Sequence, residues 1–167
     1  NPLLPRHGTT FHPSGGPMGG AGYVTLDGGT PGGYATSVVV STQPGGGLVS
    51  AGTVSGVGVW FKAAPGTSGP LFGFTASPSN GAGDADRALY LDGTGRLRFA
   101  WNTTGAKIGP SGPSYTDGAW HFAYVTFGGV NVALVGVIPQ VTLWVDGVEQ
   151  ATSPLLSLVP MTPYSGY

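Results

Sequence analysis

Glycine and proline interrupt this chain so often that long helices have no room to form. The 167 residues include 32 Gly and 15 Pro, and both residues disfavour helix interiors. The runs between them are short, rich in β-branched and aromatic residues, and alternate in polarity, which is the pattern of strands. Four Trp, seven Tyr and seven Phe supply large apolar side chains for a core, which argues against a disordered chain. The sequence therefore predicts one all-β domain with many turns.

The composition argues against several classes of partner. The net charge is −1 and only 8% of the residues are charged, so no basic cluster is present to bind nucleic acid. No apolar run reaches the ~18 residues that a membrane-spanning helix needs, and we expect no insertion into a membrane. Cysteine is absent, which excludes disulfides and thiolate metal sites but leaves the compartment open.

The strands are expected after a Gly/Pro-rich arm or linker, residues 1–22, which has no periodicity. Two hairpins are the clearest features, one turning at Asp92–Gly95 and one at Asp146-Gly147. Eight or so antiparallel strands with alternating faces predict a two-sheet sandwich. The candidate strands are Tyr23–Leu26, Ala35–Ser41, Val54–Ala63, Leu71–Ala76, Ala88–Leu91, Arg96–Trp101, Trp120–Phe127 and Val141–Val145.

Several motifs in this order resemble a known superfamily. GPLFGF, ALYLDGTGRLRF, YTDGAWHFAYVTF and TLWVDGV are similar to segments of laminin-G-like, concanavalin A-like lectin/glucanase domains of bacterial or phage type. The resemblance implies a jelly-roll sandwich over residues 23–167. It also implies that the usual last strand is missing, because such domains continue beyond a segment like Pro163–Tyr167. We expect the open sheet edge to contact another chain, since prolines in the arm remove ladder donors.

The segment YTDGAWHFAYVTF allows two interpretations. Alternation places Trp120, Phe122, Tyr124 and Thr126 on one face, with His121 on the other among small and apolar residues. The favoured interpretation is that both faces are core, as in a central strand that is covered on both sides. The alternative is that one face lines the concave surface of the sandwich and stacks on sugar rings.

Catalysis is not expected. Glycoside hydrolysis usually needs two facing carboxylates, and the glucanases that this chain resembles carry a Glu-x-Asp-x-x-Glu strand. This chain has a single glutamate, Glu149, and no paired acid or nucleophile is evident near His121. We therefore predict no catalytic residues, with a glycan hydrolase as the weakest alternative.

Binding is the better functional class. Leu97 is expected to face the core, which leaves Arg96 and Arg98 on the opposite face beside Tyr90. These three residues and Trp144 are the candidate ligand-binding residues, because Arg and aromatic side chains bind sugars or acidic groups. Some laminin-G-like domains bind calcium, and the resemblance makes Asp84 and Asp86 candidate calcium ligands; no other cofactor is expected.

One stretch, GGVNVALVGVIPQ, departs from the short polar turn that relatives commonly have there. Its apolar side chains would be costly to leave in water, so it is either an additional core strand or an interface with another chain. These candidate interface residues are Val130, Val132, Leu134, Val135, Val137 and Ile138. The sequence thus favours an adhesion or binding module at a cell surface, outside the cell or on a virion, which recognises glycans or proteins. The alternative is a structural subunit of a large assembly, such as a phage appendage or a surface filament, with no sugar binding.

Overall fold

A computed structural model of the chain describes residues 4–6, 8–26, 34–36, 55–75, 85–100, 107–134 and 136–154. The regular elements within these ranges are twelve strands, and no helix there is able to span a membrane. The predicted all-β class is confirmed. The chain divides into two compact units, one containing β1–β4 and the other built mainly from β5–β12.

The first unit contains two small antiparallel sheets. Strand β1 (Leu4–Arg6) pairs with β4 (Tyr34–Thr36), and β2 (Thr9–His12) pairs with β3 (Tyr23–Leu26). The expectation that the arm contains no regular element is therefore wrong. A two-stranded sheet leaves one side of each strand unpaired, so Pro5 is tolerated in β1 although it has no N–H to donate.

The second unit contains two four-stranded sheets. One has the order β12–β11–β10–β5, formed by β5 (Ser55–Lys62), β10 (Trp120–Val132), β11 (Gly136–Val145) and β12 (Val148–Pro154). The other has the order β6–β7–β8–β9, formed by β6 (Gly69–Thr75), β7 (Ala85–Leu91), β8 (Leu97–Ala100) and β9 (Lys107–Ile108). The predicted absence of the last strand and the predicted open edge stay predictions, because the residues after Pro154 lie outside the described ranges.

The core of this unit is one cluster to which both sheets contribute. Phe99 of β8 packs edge-on against Phe127 of β10, with ring centroids 5.7 Å apart. Both rings are almost inaccessible to solvent. Leu97, which the sequence predicts to face the core, is in this cluster together with the residues that alternate in the same way on its own and neighbouring strands: Leu89, Leu91, Phe99, Leu143 and Val145. Two sheets that share one apolar layer form a sandwich.

Both predicted hairpins are present. Gly95 has a φ of 74° where β7 turns into β8, and the carboxylate of Asp92 accepts hydrogen bonds from the N–H groups of Thr94 and Arg96. At the turn between β11 and β12, Asp146 and Gly147 both have positive φ, at 51° and 81°. Two consecutive positive φ values are the geometry that Asp-Gly hairpins favour.

The hairpin of β10 and β11 is longer than predicted. The sequence predicts that β10 ends at Phe127, but the strand continues to Val132 and pairs there with Gly136. The stretch GGVNVALVGVIPQ is thus the continuation of β10 and β11 around a tight turn. The stretch therefore forms no separate strand, and its interface with another chain stays a prediction.

Candidate functional site

The outer face of the β12–β11–β10–β5 sheet carries a row of aromatic side chains. Residues that alternate with the buried positions of these strands point away from the core. Four of them form the row, which we call the aromatic stripe: Trp60 on β5, Phe122 and Tyr124 on β10, and Trp144 on β11. The interpretation that both faces of β10 are core is therefore wrong for this face, where Phe122 and Tyr124 are half-buried.

The rings of the aromatic stripe contact one another in sequence across three strands. Trp60 lies opposite Phe122 in the ladder, with ring centroids 5.1 Å apart. Phe122 and Tyr124 are 5.7 Å apart, and Tyr124 and Trp144 are 5.7 Å apart with planes only 7° from parallel. Each such pair contributes about 0.5–1.5 kcal/mol beyond the area it buries. Trp60 is the most accessible ring at 39% exposure, so the stripe is a continuous aromatic surface that ends in an open indole.

A glycine on the edge strand makes room for this arrangement. Gly58 lies opposite Tyr124 in the ladder, and a Cβ placed there would lie 2.6 Å from Cζ of Phe122. Any side chain at this position would displace the Phe122 ring. Gly58 therefore allows the ring to lie over β5 and to bridge Trp60 and Tyr124.

Hydroxyl groups border the aromatic stripe on one side. The indole N–H of Trp144 donates to Oγ1 of Thr126 at 3.2 Å, and the hydroxyls of Thr142 and Thr152 are 2.9 Å apart. Thr126 follows Tyr124 by two residues on β10 and Thr142 precedes Trp144 by two on β11, so both belong to the next row of the same face, where Thr142 is buried. An aromatic row beside a hydroxyl row offers stacking and hydrogen bonding side by side.

A second group of interacting side chains lies where β10 begins. Nδ1 of His121 is 2.7 Å from Oδ2 of Asp146, and Nε2 is 3.1 Å from Oδ1 of Asp117. The ring of Tyr115 packs edge-on against the imidazole with centroids 4.9 Å apart. We call Asp117, His121 and Asp146 the aspartate–histidine cluster. The sequence alone shows no paired acid near His121, and the structure corrects this by placing two carboxylates against its ring.

The pKa values in the aspartate–histidine cluster move in the directions that an ion network produces. Burial alone would lower the pKa of His121, but the bonds to Asp146 and Asp117 outweigh burial and raise it. The N–H of Ala119 and the imidazole lower the pKa of Asp117. Burial opposes a shift at Asp146, yet the bonds from His121 and from the Phe122 N–H lower its pKa as well. The geometry and these shifts favour a charged imidazole between two charged carboxylates.

A family model of laminin-G type, described as the concanavalin A-like lectin/glucanases superfamily, matches residues 22–165. The chain belongs to this superfamily. No curated protein and no solved structure matches the chain. Because the superfamily contains both lectins and glucanases, membership establishes the sandwich fold and leaves the function to be argued from the surface.

In this concanavalin A-like domain the four candidate ligand residues do not share one surface. Tyr90 and Arg98 are direct partners on β7 and β8, on the outer face of the β6–β9 sheet, and Arg96 is exposed where β8 begins. Trp144 lies on the outer face of the other sheet, with the core between them. Trp144 does belong to the aromatic stripe, so sequence reasoning identified one of its four rings as a candidate ligand residue.

Arg98 is already occupied within the domain. Its Nε donates to Oδ2 of Asp92 at 2.7 Å. The bonds from the Thr94 hydroxyl and from Arg98 hold the pKa of Asp92 well below its usual range. Arg98 therefore helps to hold the hairpin turn, which leaves it less available to a ligand than an unpaired arginine would be.

The two candidate calcium ligands remain predictions. Asp84 lies outside the described residues, and Asp86 is described only through its backbone at the start of β7. Among the described side chains, no three His, Asp or Glu residues come together in a way that suits a metal ion.

The candidate interface residues lie around the end of the β10–β11 hairpin. Leu134 is at its tip with a φ of 71° and is fully exposed, at 108% of its reference area. Val132 and Ile138 are half-buried. The side chains of Val130, Val135 and Val137 lie outside the description, and whether this hairpin meets a partner stays a prediction.

Two features of the site escaped sequence reasoning. In VGVWFKA, Trp60 alternates with the buried Phe61, so the pattern indicates that Trp60 faces outward. Its ring neighbour Phe122 is far away in the chain, and the pattern does not indicate their contact. The bond between His121 and Asp146 joins the DGAWH and WVDG motifs. The sequence signal for that contact is the occurrence of both motifs in one chain. In the sequence analysis, this signal serves only as evidence for the superfamily fold.

Proposed function

We propose that this domain is a non-catalytic binding module of an extracellular, cell-surface or virion-surface protein, and that it recognises a glycan through the aromatic stripe. The observation that carries the proposal is a row of four contacting rings on a sheet face that points away from the core. Core packing explains the inward face of this sheet, but it gives no reason for four large aromatic side chains on the outward faces of β5, β10 and β11. Half-exposed aromatic rows of this kind mark binding surfaces.

Stacking and hydrogen bonding support a sugar as the ligand class. Sugar rings present C–H faces that pack on aromatic rings, and their hydroxyls pair with polar groups beside those rings. Trp60 supplies the most accessible ring, while the half-buried Thr126 supplies a neighbouring hydroxyl. The ladder places only Lys62, opposite Trp120, and Glu149, opposite Trp144, as charged residues at the margins of this face. A nearly neutral surface favours a ligand that is recognised by shape rather than by charge.

The aspartate–histidine cluster is better suited to holding structure than to catalysis. A general base needs a free lone pair on one ring nitrogen, and both nitrogens of His121 face carboxylate oxygens. Glu149 is a single carboxylate beside the stripe, whereas hydrolysis of a glycosidic bond usually needs two that face one another. These features support a binding role in place of a hydrolytic one.

The test is a broad glycan array probed with the wild-type domain, with and without calcium, followed by affinity measurements on any ligand found. Trp60→Ala is expected to weaken binding at least about tenfold, because truncating an aromatic residue at the centre of binding commonly costs more than 1 kcal/mol. Tyr90→Ala tests the opposite face of the sandwich, where the sequence placed three of its candidates. Phe11→Ala is the matched control, since Phe11 is an exposed aromatic residue of the first unit.

The outcomes separate the alternatives. Loss of binding in Trp60→Ala alone supports the aromatic stripe, whereas loss in Tyr90→Ala alone transfers the site to the β6–β9 sheet. Binding that disappears only on calcium chelation would favour the segment around Asp84 and Asp86. An array without hits under either condition would reject glycan recognition.

The second candidate function is a structural subunit of a larger assembly that binds no sugar. It is favoured by Leu134, an apolar residue that is fully exposed at a hairpin tip between two strands that contain no Asp, Glu, Lys or Arg. Sedimentation of the wild-type domain over a range of concentrations would reveal self-association. Leu134→Asp should abolish that association if the tip makes the contact, and a monomer at every concentration would reject self-association through this hairpin.

A further inference from the structure

The geometry of the aspartate–histidine cluster fixes the protonation state of His121. A carboxylate oxygen only accepts hydrogen bonds, and a neutral imidazole has only one N–H to donate. Both nitrogens of His121 lie within hydrogen-bonding distance of carboxylates, at 2.7 and 3.1 Å. Two such bonds require the doubly protonated imidazolium, so removal of one proton must break one of them.

The two bonds differ in strength and in what they connect. Asp146, in the turn between β11 and β12, makes the shorter bond and is also held through Oδ1, which accepts the N–H of Phe122 at 2.9 Å. Asp117, in the loop that precedes β10, makes the longer bond through Oδ1, and the same oxygen also accepts the N–H of Ala119 at 2.8 Å. Its side chain is 59% exposed against 44% for Asp146. Loss of a proton should therefore break the bond to Asp117 and keep the bond to Asp146.

We propose that Asp117, His121 and Asp146 form a proton-dependent clamp, which fastens the loop before β10 to the turn between β11 and β12 and releases Asp117 as the pH rises. The proposal stands apart from glycan binding, because it concerns the end of β10 and needs no ligand. The clamp nevertheless lies beside the aromatic stripe, since His121 precedes Phe122 directly. Opening of the clamp would thus change the support of the stripe at one end.

The release is local. Backbone bonds from the N–H of Tyr115 to the carbonyl of Gly95 and from the N–H of Gly118 to the carbonyl of Ala63 do not depend on His121. They keep the loop attached when Asp117 is released. The release is thus confined to the bond between Asp117 and His121, since the Asp117 carboxylate still accepts the N–H of Ala119 at 2.8 Å.

The other side chains that contact His121 do not change the direction in which its pKa moves. Tyr115 packs against the imidazole from the preceding loop, and Phe61 of β5 lies 5.7 Å away between ring centroids. Phe61 does not titrate, and burial raises the pKa of Tyr115 above its usual value, so Tyr115 stays neutral over the relevant range. Among the described residues that contact His121, only the two carboxylates carry charge, and both favour the imidazolium.

The direction of the pH dependence follows from linkage. The pKa of His121 is raised on folding, so its contribution to stability is fully present below the unfolded value of about 6.5 and is lost as the pH rises through the folded value. The two carboxylates have lowered pKa values, so their contribution is present above their unfolded values and is lost in acid. The clamp should be closed in the weakly acidic to neutral range.

The experiment is a pH titration of the histidine ring protons by NMR in the wild-type domain and in Asp117→Asn. The His121 midpoint is expected above about 6.5 in the wild type and lower by at least about 0.5 pH unit in Asp117→Asn. Asparagine keeps an oxygen that accepts the Ala119 N–H, so the turn is preserved while the charge is removed. His12→Gln is the control, since His12 bonds Thr25 in the first unit and its removal should leave the His121 midpoint in place.

Melting temperatures provide the second measurement. From about pH 6 to about pH 9 the wild-type domain should lose its stability advantage over Asp117→Asn, because the clamp that distinguishes them opens. A His121 midpoint at or below the ordinary value, or one that Asp117→Asn leaves unchanged, would overturn the proposal. Either result can be read even if the glycan array has no hits.

Discussion

Replacement of Phe99 by alanine should be among the most destabilising single changes in this domain. Its side chain is completely buried between Leu89 and Ile108, its partners on the neighbouring strands, and it meets Phe127 of the opposite sheet edge-on. Truncation of a buried phenylalanine costs about 3–5 kcal/mol, through lost burial and the cavity that remains. We expect about 4 kcal/mol, because strands on both sides of the cavity limit its collapse and an aromatic pair is lost as well.

Urea unfolding followed by tryptophan fluorescence and circular dichroism measures this cost. If the free energy of unfolding falls by about 2 kcal/mol for each molar of urea, the midpoint of unfolding should fall by about 2 M urea. The melting temperature should fall by roughly 8–16 °C for a chain of this size. Val148→Ala is the control, since Val148 is 60% exposed and such surface changes stay within about 0.5 kcal/mol. If Phe99→Ala unfolds at the same urea concentration as Val148→Ala, the assignment of a shared core between the two sheets is wrong.

Three further changes test other parts of the structure. Gly58→Ala should weaken ligand binding by displacing the Phe122 ring that a Cβ would meet, whereas Gly73→Ala in β6, where a Cβ meets only ordinary contacts, should bind normally. Asp92→Asn should lower the melting temperature near neutral pH. The pKa of Asp92 is lower in the folded protein than in the unfolded chain. The wild type should therefore melt at a higher temperature than Asp92→Asn at pH values above about 3.9, the pKa of an unfolded aspartate, and this difference should shrink as the pH falls towards the pKa of folded Asp92. Leu134→Asn should stabilise the isolated domain by about 0.5–1 kcal/mol in chemical denaturation, since asparagine tolerates positive φ better than leucine and no buried area is lost; a destabilised variant would show that the Leu134 side chain packs in solution.

Local rules predicted the parts of the fold in which neighbours in the chain decide the outcome. Alternation in ALYLDGTGRLRF and TLWVDGV determined which side chains face the core, and Asp-Gly turns fixed two hairpins. Both outcomes depend on the two-residue period of a strand and on the tolerance of these turn residues for positive φ. The same rules failed for the arm, where prolines were read as barriers to pairing. Pro5 is nevertheless tolerated in β1, because a two-stranded sheet leaves one side of each strand without a partner strand.

The sequence by itself determined the all-β class, the superfamily and the inward faces of the central strands. Only the tertiary structure decided that Trp60 meets Phe122 and that His121 meets Asp146. These pairs depend on which strands become neighbours and in which register, and that choice is made by the burial of the whole core rather than by any local pattern. Alternation shows that Trp144 and Tyr90 both point outward, but it does not tell on which of the two sheets each strand lies. That assignment separated the predicted binding residues onto opposite faces and joined Trp144 to three rings from other parts of the chain.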